Sequence, residues 1–423
     1  MVTMFAVTNL SAKINEQLPV ELVSFMQAAG EMAQRQGRKL YLVGGVVRDL
    51  LLGRANLDLD LVFEGDAVKL AQKLADIKKG KVTVHTRFGT AKLRWDNWSV
   101  DLTTARAETY YKPCVLPVVK PASIKEDLFR RDFTINAMAI ELSASHYGQL
   151  LDLFGGQDDL EHKLIRVLHE KSFVDDATRI WRGLRYEQRL GFQLEPVTLK
   201  LLKRGISYLD KVSGDRIRHE LELVLKEAYP EKVLSRADEL GVLAKLHPAL
   251  KADGWLVEKF EPARKISSPD SPSLGLYLAL LTYRLTEEEN EQLISYLRLP
   301  KSVAQALRDT MTIKARLKLL DDSGLPPSGI YSILHGYSLS AVMANALASD
   351  SPVARQHLNL YLSKLRHIKP ALNGEDLKKL GVAQGPRIKE MLNKLLEARL
   401  NGEVISKREE AELVEQWLAG AKR

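Results

Sequence analysis

The chain of 423 residues holds one cysteine, Cys114. A single thiol excludes an intrachain disulfide and any zinc site built on cysteines, and it suits a reducing compartment such as the cytoplasm. Long apolar runs are missing too. A membrane span needs ~18 uninterrupted apolar residues. The longest candidate, 274–283, stops at Arg284 and reads as a core helix. The opening MVTMFAVTNLSAKINEQL lacks the basic and long apolar stretches of a secretory leader, so no leader is expected. No histidine is followed by aspartate, which removes the His-Asp phosphohydrolase signature. There is no repeat of fixed period and no low-complexity tract.

What is present starts with length and charge. The chain is too long for one ordinary core, so two to four domains are expected. Lys and Arg (62) exceed Asp and Glu (54) by 8. The excess is local: residues 361–400 hold nine basic residues (Lys364, Arg366, Lys369, Lys378, Lys379, Arg387, Lys389, Lys394, Arg399) against four acids. Such a surface attracts polyphosphates by electrostatics, and a solvated helical face gives the same pattern.

Hydrophobic periodicity divides the chain near residue 155. Before it, strand patterns (39–43, 57–63, 81–85, 90–95, 98–103) alternate with helical ones (46–52, 67–77), which predicts an α+β head on one mixed sheet. After it, amphipathic helical segments follow one another, with Pro/Ser/Gly/Asp-rich breaks at 266–273 and 321–329.

Asp58 and Asp60 lie two apart in LDLDLVF. On a strand they project from one face, ~7 Å apart, while Leu57, Leu59 and Leu61 turn to the other and can be buried. Two adjacent carboxylates repel unless a cation lies between them, and Mg²⁺ prefers such oxygens together with phosphates. An exposed polar strand gives the same spacing. Just upstream, YLVGGVVRD ends a strand in Gly44-Gly45 and begins a helix. Glycines let a phosphate approach the backbone, and the helix start offers free N–H groups. A triphosphate can then rest on Gly45 and Arg48, with metal on Asp58 and Asp60. Asp101, in SVDLTTAR, either completes a three-carboxylate site as general base or is an ordinary strand-edge aspartate.

These strings resemble the polymerase-β-like nucleotidyltransferase superfamily, and within it the class II tRNA nucleotidyltransferases and their bacterial poly(A) polymerase relatives. RRDFTINA (130–137), DDATRIWRGLR (175–185) with YEQRLGF (186–192), and SGDRIRHEL (213–221) agree in order and spacing over roughly 38–225. The resemblance implies a nucleotidyltransferase head (1–155), a neck with a base-selecting helix (156–226), a helical body (227–320) and a helical, tRNA-binding tail (321–423). It implies that Gly45, Arg48 and Arg131 contact the nucleotide, that Asp58 and Asp60 bind Mg²⁺, and that Asp132 orients sugar or protein groups. It further implies that Asp176 and Arg179 select the base while Arg182 and Arg185 reach the triphosphate. One departure is Asp175, where the family usually has Glu.

Physical reasoning supports those roles. Arg179, Arg182, Arg185 and Arg189 share one helical stripe, and Asp175 and Asp176 sit where a helix cap would be. A carboxylate accepting from an exocyclic amine beside a guanidinium donating to a ring nitrogen matches cytosine and adenine but not uracil or guanine.

The expected reaction is template-independent, Mg²⁺-dependent transfer of AMP, with CMP as an open alternative, to the 3′ end of tRNA with release of pyrophosphate. The partners are tRNA, ATP and, in the same alternative, CTP. Poly(A) tailing of general RNA and a catalytically inactive RNA-binding protein are the competing readings. The segment 107–124 reads as an irregular, proline-bearing loop of the kind CC-only enzymes lack. The DDATR and TTARAETYYKP strings are closer to A-adding members. Glycine-containing turns within 373–392 are further candidates for holding phosphates through backbone amides.

Overall fold

The computed structural model describes residues 8–85 and 89–420, so the leader expectation falls partly on residues 1–7, outside the described residues. The chain forms two compact units, Met1–Glu220 and Leu221–Arg423.

The first unit opens with two helices, α1 (Ser11–Gln17) and α2 (Val20–Arg35). The alternation expected from the sequence follows: β1 (Leu40–Val43), α3 (Gly45–Leu51), β2 (Leu59–Phe63), α4 (Ala67–Lys78), β3 (Lys81–His85), β4 (Thr90–Trp95) and β5 (Trp98–Thr104). Then come β6 (Arg106–Thr109), β7 (Val118–Pro121), α5 (Ile124–Phe129), β8 (Met138–Glu141) and β9 (Leu150–Asp152). One seven-stranded sheet runs β3-β4-β5-β2-β1-β8-β9. It is mixed, because β2 and β5 pair parallel while its other ladders are antiparallel.

Register assigns the two faces. Leu59 pairs with Val100 and Leu61 with Leu102, and these buried side chains share a face covered by α2 and α4. Phe25 of α2 stacks on Trp95 with ring centroids 4.6 Å apart. The opposite face carries Asp60 and Asp101, and beside them the cluster of Tyr41, Val43, Val62, Ile124, Leu128 and Ala139.

Two expectations for this unit are corrected. Leu57 is 46% exposed rather than buried, and Asp58 lies one residue ahead of β2. The Asp58 amide donates to Asn56 Oδ1 at 2.9 Å, so the ladder begins only at Leu59. The segment 107–124 is no irregular loop at its base. There, β6 and β7 form an antiparallel ribbon from Arg106↔Pro121 to Thr109↔Val118, with 110–117 as its tip. Glu108 fixes the ribbon by accepting from Arg106, Arg130 and Tyr110.

The unit continues through α6 (Gly156–Glu161), a short parallel pair β10 (Leu164–Ile165) and β11 (Gln193–Leu194), and the helices α7 (Ser172–Asp175), α8 (Thr178–Leu190), α9 (Pro196–Gly205) and α10 (Gly214–Leu225). Gly191 closes α8 in the left-handed conformation (φ 70°), a usual helix stop.

The second unit is helical. Its longer elements are α11 (Pro230–Glu239), α12 (Gly254–Ser267), α13 (Leu274–Leu281), α14 (Glu287–Leu297), α15 (Lys301–Ala315), α16 (Leu317–Leu320), α17 (Pro327–Leu334), α18 (Leu339–Ala348), α19 (Pro352–Ser363), α20 (Gly374–Lys379), α21 (Pro386–Leu400) and α22 (Lys407–Gly420). The apolar run 274–283 is a core helix: Gly275 through Leu281 are buried. Among the described residues no helix is long and apolar enough to cross a membrane.

In the basic segment Lys364, Lys369, Lys378, Lys379, Arg387, Lys389 and Lys394 are exposed. Arg399 is not surface charge alone, because it pairs with the fully buried Glu410. Some of the amides expected at the glycine turns within 373–392 are already spoken for or missing. Asn373 already takes the Glu375 and Asp376 N–H groups, and the first residue of α21 is Pro386, which has none.

Candidate active site

The acids come first. Parallel register sets Asp60 directly opposite Asp101 on neighbouring strands, and antiparallel register sets Lys92 opposite Asp101. Lys92 Nζ lies 2.9 Å from Asp101 Oδ2. Asp101 is thus turned to Lys92 rather than completing a three-carboxylate cage. Among the described residues no three acidic, His or Cys groups converge on one metal position.

Asp58 and Asp101 nevertheless act on Asp60. Burial, the Asp58 and the Asp101 carboxylates together push the Asp60 carboxyl up to about 6, against the pull of Arg131 and Lys92. A buried carboxyl raised in this way, with two further carboxylates beside it, suits a divalent cation, and the donor chemistry is that of magnesium.

The glycine turn closes over this site. Gly44 has φ 80° and ψ −141°, a conformation that L side chains avoid. A Cβ there would lie 3.2 Å from Arg131 Nη1 and 3.6 Å from Asp60 Oδ2. Gly44, Arg131 and Asp60 therefore meet at one point, and Gly44 rather than Gly45 carries the conformational demand. Arg131 Nη2 donates to the buried Asp127 at 3.1 Å, while its buried Nε has no hydrogen-bond partner. A buried donor without an acceptor, beside a glycine turn, fits an anionic ligand.

Arg48, expected at the nucleotide, is turned here to protein partners. It is 3% exposed, and Nε and Nη2 grip Asp49 at 2.9 and 2.8 Å. Nη1 donates to Asn136 Oδ1 at 2.8 Å, and the guanidinium lies 5.3 Å from the Tyr186 ring centre. These partners make it a supporting residue beneath Gly45.

From Asn136 the network passes to Asp132, whose Oδ1 accepts from Asn136 Nδ2 (3.0 Å) and from the Phe133 amide (2.8 Å). Asp132 Oδ2 accepts from Arg182 Nε and Nη2 at 2.9 and 2.6 Å. Burial works to raise the Asp132 carboxyl, but Arg182 and Asn136 outweigh it and hold it down to about 2. Tyr186 anchors the cations of α8: its ring lies 5.9 Å from Arg182 and 5.0 Å from Arg185, as well as under Arg48.

At the start of α8, Asp176 behaves as a cap. Its Oδ1 accepts from the Thr178 amide, from the Thr178 hydroxyl and from Arg216 Nη2 at 2.8 Å. Arg216 Nη1 donates to the Cys114 carbonyl at 3.1 Å, so one arginine joins the ribbon tip to Asp176. Arg179 is buried and donates to Ser172 Oγ and to the Arg130 carbonyl, each at 2.7 Å. The two side chains expected to face a base together thus point to different protein partners here. Burial raises the Asp175 carboxyl, with Arg179 and Lys171 pulling against it. Arg189, the outermost of the stripe, is exposed.

The structure thus gathers Asp58, Asp60, Asp101 and Arg131 at one end. At the other it gathers Arg48, Asp132, Arg182 and Arg185, and it holds Asp176 and Arg179 at the foot of α8. Sequence reasoning singled out Gly45 and Arg48 rather than Gly44 of the same turn, and it missed Lys92, Asp49, Asn136, Tyr186 and Arg216. Asp49, Asn136, Tyr186 and Arg216 lay inside motifs already noticed. Lys92 gave no signal, because only strand register places it beside Asp101.

Comparison with known proteins finds relatives that cover most of the chain. Residues 40–166 match the model of the poly A polymerase head domain, and 191–253 match that of a probable RNA and SrmB-binding site of polymerase A. An A-adding tRNA nucleotidyltransferase of Geobacter sulfurreducens is 36% identical over 418 residues, 94% of this chain but 47% of that protein. The chain thus spans about half the length of that relative. One of the same name from Halalkalibacterium halodurans is 34% identical over 391 residues, 91% of this chain and 90% of that one.

Among solved structures, the Thermotoga maritima CCA-adding enzyme complexed with tRNA superposes with a TM-score of 0.77 at 32% identity, covering 98% of this chain and all (100%) of that one. A CCA-adding enzyme complexed with ATP gives 0.80 at 32% identity, covering 99% of this chain and 100% of that one.

Proposed function

The chain belongs to the class II tRNA nucleotidyltransferase family, and from that premise we propose that it adds AMP to the 3′ end of tRNA. The observation that carries the reading is the convergence of Asp60, Arg131 and the Gly44 turn on one point of the sheet's open face, with Asp58 and Asp101 close enough to perturb Asp60. Its similarity to A-adding enzymes supports terminal adenylation of tRNA already ending in CC. Addition of CMP is the alternative outcome of the same experiment.

In the proposed reaction the tRNA 3′-oxygen bonds to the α-phosphorus of ATP. The bond from that phosphorus to the bridging oxygen breaks, and pyrophosphate leaves with the electron pair. The hydroxyl proton passes to Asp101, whose Oδ2 lies 2.9 Å from Lys92 Nζ. Asp58 and Asp60 would hold magnesium, which supplies charge neutralisation for the triphosphate and acidifies the attacking hydroxyl. Arg131 offers its unpartnered Nε–H to the phosphates, while Arg182 and Arg185 extend the cationic wall. Asp132 keeps Arg182 charged and in place, and Arg48 holds the floor beneath Gly45. Adenine is read at the foot of α8 by Asp176 and Arg179 through the hydrogen-bonding capacity that Thr178, Arg216 and Ser172 leave unused.

In the same reading the chain works in the cytoplasm and is divided into head (1–155), neck (156–226), body (227–320) and tail (321–423). The exposed lysines of 361–400 then hold tRNA phosphates.

The test uses tRNA transcripts ending at the discriminator base, at C and at CC, with ATP and CTP separately and together. One AMP on the CC-ending transcript is expected. Long ATP-dependent tails on unrelated RNA would establish poly(A) polymerase instead, and inertness with every transcript would refute the proposal.

A further inference from the structure

Asp60 is fixed by ladder bonds on both sides of β2, but Asp58 lies outside that ladder and is exposed. Its carboxylate can meet the site only if the segment 54–58 is held by something else. Asn56 does this with both ends of its amide. Oδ1 accepts from the Asp58 N–H at 2.9 Å, and Nδ2 donates to Asp49 Oδ2 at 2.7 Å. The same Nδ2 sits 3.7 Å from where a Cβ on Gly45 would stand, so the amide packs against the glycine turn.

Asp49, the anchor, is itself buried and hydrogen-bonded. It is 8% exposed and gripped at two points by Arg48, which Asn136 ties to Asp132 and thence to Arg182 of α8. Among the described hydrogen bonds, Asn56 is therefore the one side-chain link from this buried network to the segment that carries Asp58; the Arg54 amide adds a backbone bond to the Asp49 carbonyl at 2.8 Å, four residues short of Asp58.

We propose that Asn56 is a positioning residue: it holds the Asp58 carboxylate in place for divalent metal by tethering the Asp58 backbone to the Asp49–Arg48 pair. This rests on the nucleotidyltransferase reading above. Partners that orient metal-binding side chains typically matter 10–100-fold for affinity or turnover. The amide is needed as such, because both a donor and an acceptor are used.

The experiment compares wild type, Asn56→Ala and Asn56→Gln by calorimetric titration with Mn²⁺ in the absence of RNA, together with ATP kinetics on tRNA ending in CC. Asn56→Ala is expected to weaken Mn²⁺ binding about tenfold and to lower kcat about 10–100-fold, leaving KM for ATP within about twofold. Asn56→Gln, which keeps the amide but displaces it by one methylene, is expected to fall between, and it serves alone if Asn56→Ala does not fold. Mn²⁺ affinity and kcat both unchanged, or a loss of kcat matched by an equal rise in KM with metal binding intact, would overturn the assignment. A wild type that binds Mn²⁺ but never extends tRNA would refute the functional reading instead, and the calorimetry would still decide the role of Asn56.

Discussion

Asp60 and Asp101 face each other across the parallel β2–β5 ladder, and Lys92 meets Asp101 from the far side at 2.9 Å. Two carboxylates on adjacent strands are a standing electrostatic cost in the absence of a cation, because burial and like charge both disfavour the ionised form of Asp60. The cost is removable by chemistry that also removes activity.

Replacing Asp60 by Asn therefore separates stability from function. The metal-free variant is expected to melt a few degrees higher than wild type near neutral pH, since a repelled charge is gone. Its AMP transfer is expected to fall by about a thousandfold or more. Thermal melting in EDTA and primer extension check the two halves. A lower melting temperature would show that Asp60 contributes net stabilising bonds.

The Asp132–Arg182 pair has the opposite sign. Folding holds the Asp132 carboxyl at about 2, below its ordinary value near 4. Its contribution to stability is present above ~4 and is lost as pH falls from there through 2. Urea unfolding between pH 6 and 3 is expected to show the gap between wild type and Asp132→Asn shrinking with acid. At neutral pH the variant should lose about 2–3 kcal/mol, because the half-buried Arg182 loses its charged acceptor. A gap independent of pH would mean the carboxylate charge is not what stabilises.

Tyr186 gathers Arg48, Arg182 and Arg185 round one ring and meets Phe133 edge-on at 6.0 Å. Tyr186→Phe should keep the aromatic face and cost little. Tyr186→Leu should cost about 1–3 kcal/mol and raise KM for ATP, because the cations lose a common support. Equal effects of the two variants, read by denaturant midpoint and ATP kinetics, would assign the role to the hydroxyl.

The two glycines of the turn are not equivalent. Gly44→Ala forces a side chain into a left-handed backbone within 3.2 Å of Arg131, whereas a Cβ on Gly45 meets only ordinary contacts at 3.5 and 3.7 Å. The first is expected to cost about 1–3 kcal/mol and to weaken ATP binding, the second much less. Melting and ATP titration of the two variants, side by side, test the ranking.

The linear pattern alone determined a good deal. Period-two and helical alternation fixed the strand and helix order from β1 through β5, though not the two helices ahead of it, because burying one face imposes that periodicity on any chain. The glycine pair, Asp60 and the arginine stripe of α8 were legible for a related reason: their spacing is local, set by a strand, a turn or a helix. Arg131 was expected from the family resemblance alone, and Asp58 falls one residue short of the strand it was placed on.

What the tertiary structure decided is which of these groups meet. Lys92 reached Asp101 only through register between β4 and β5, and Asp176 found Arg216 rather than Arg179, 40 residues away against three. The two-stranded ribbon within 107–124 depended on Glu108, whose salt bridge to Arg130 reaches 22 residues along the chain. Sequence spacing constrains a side chain's direction within one element, but pairing between elements is set by packing and by competition for buried hydrogen bonds, which no single segment contains.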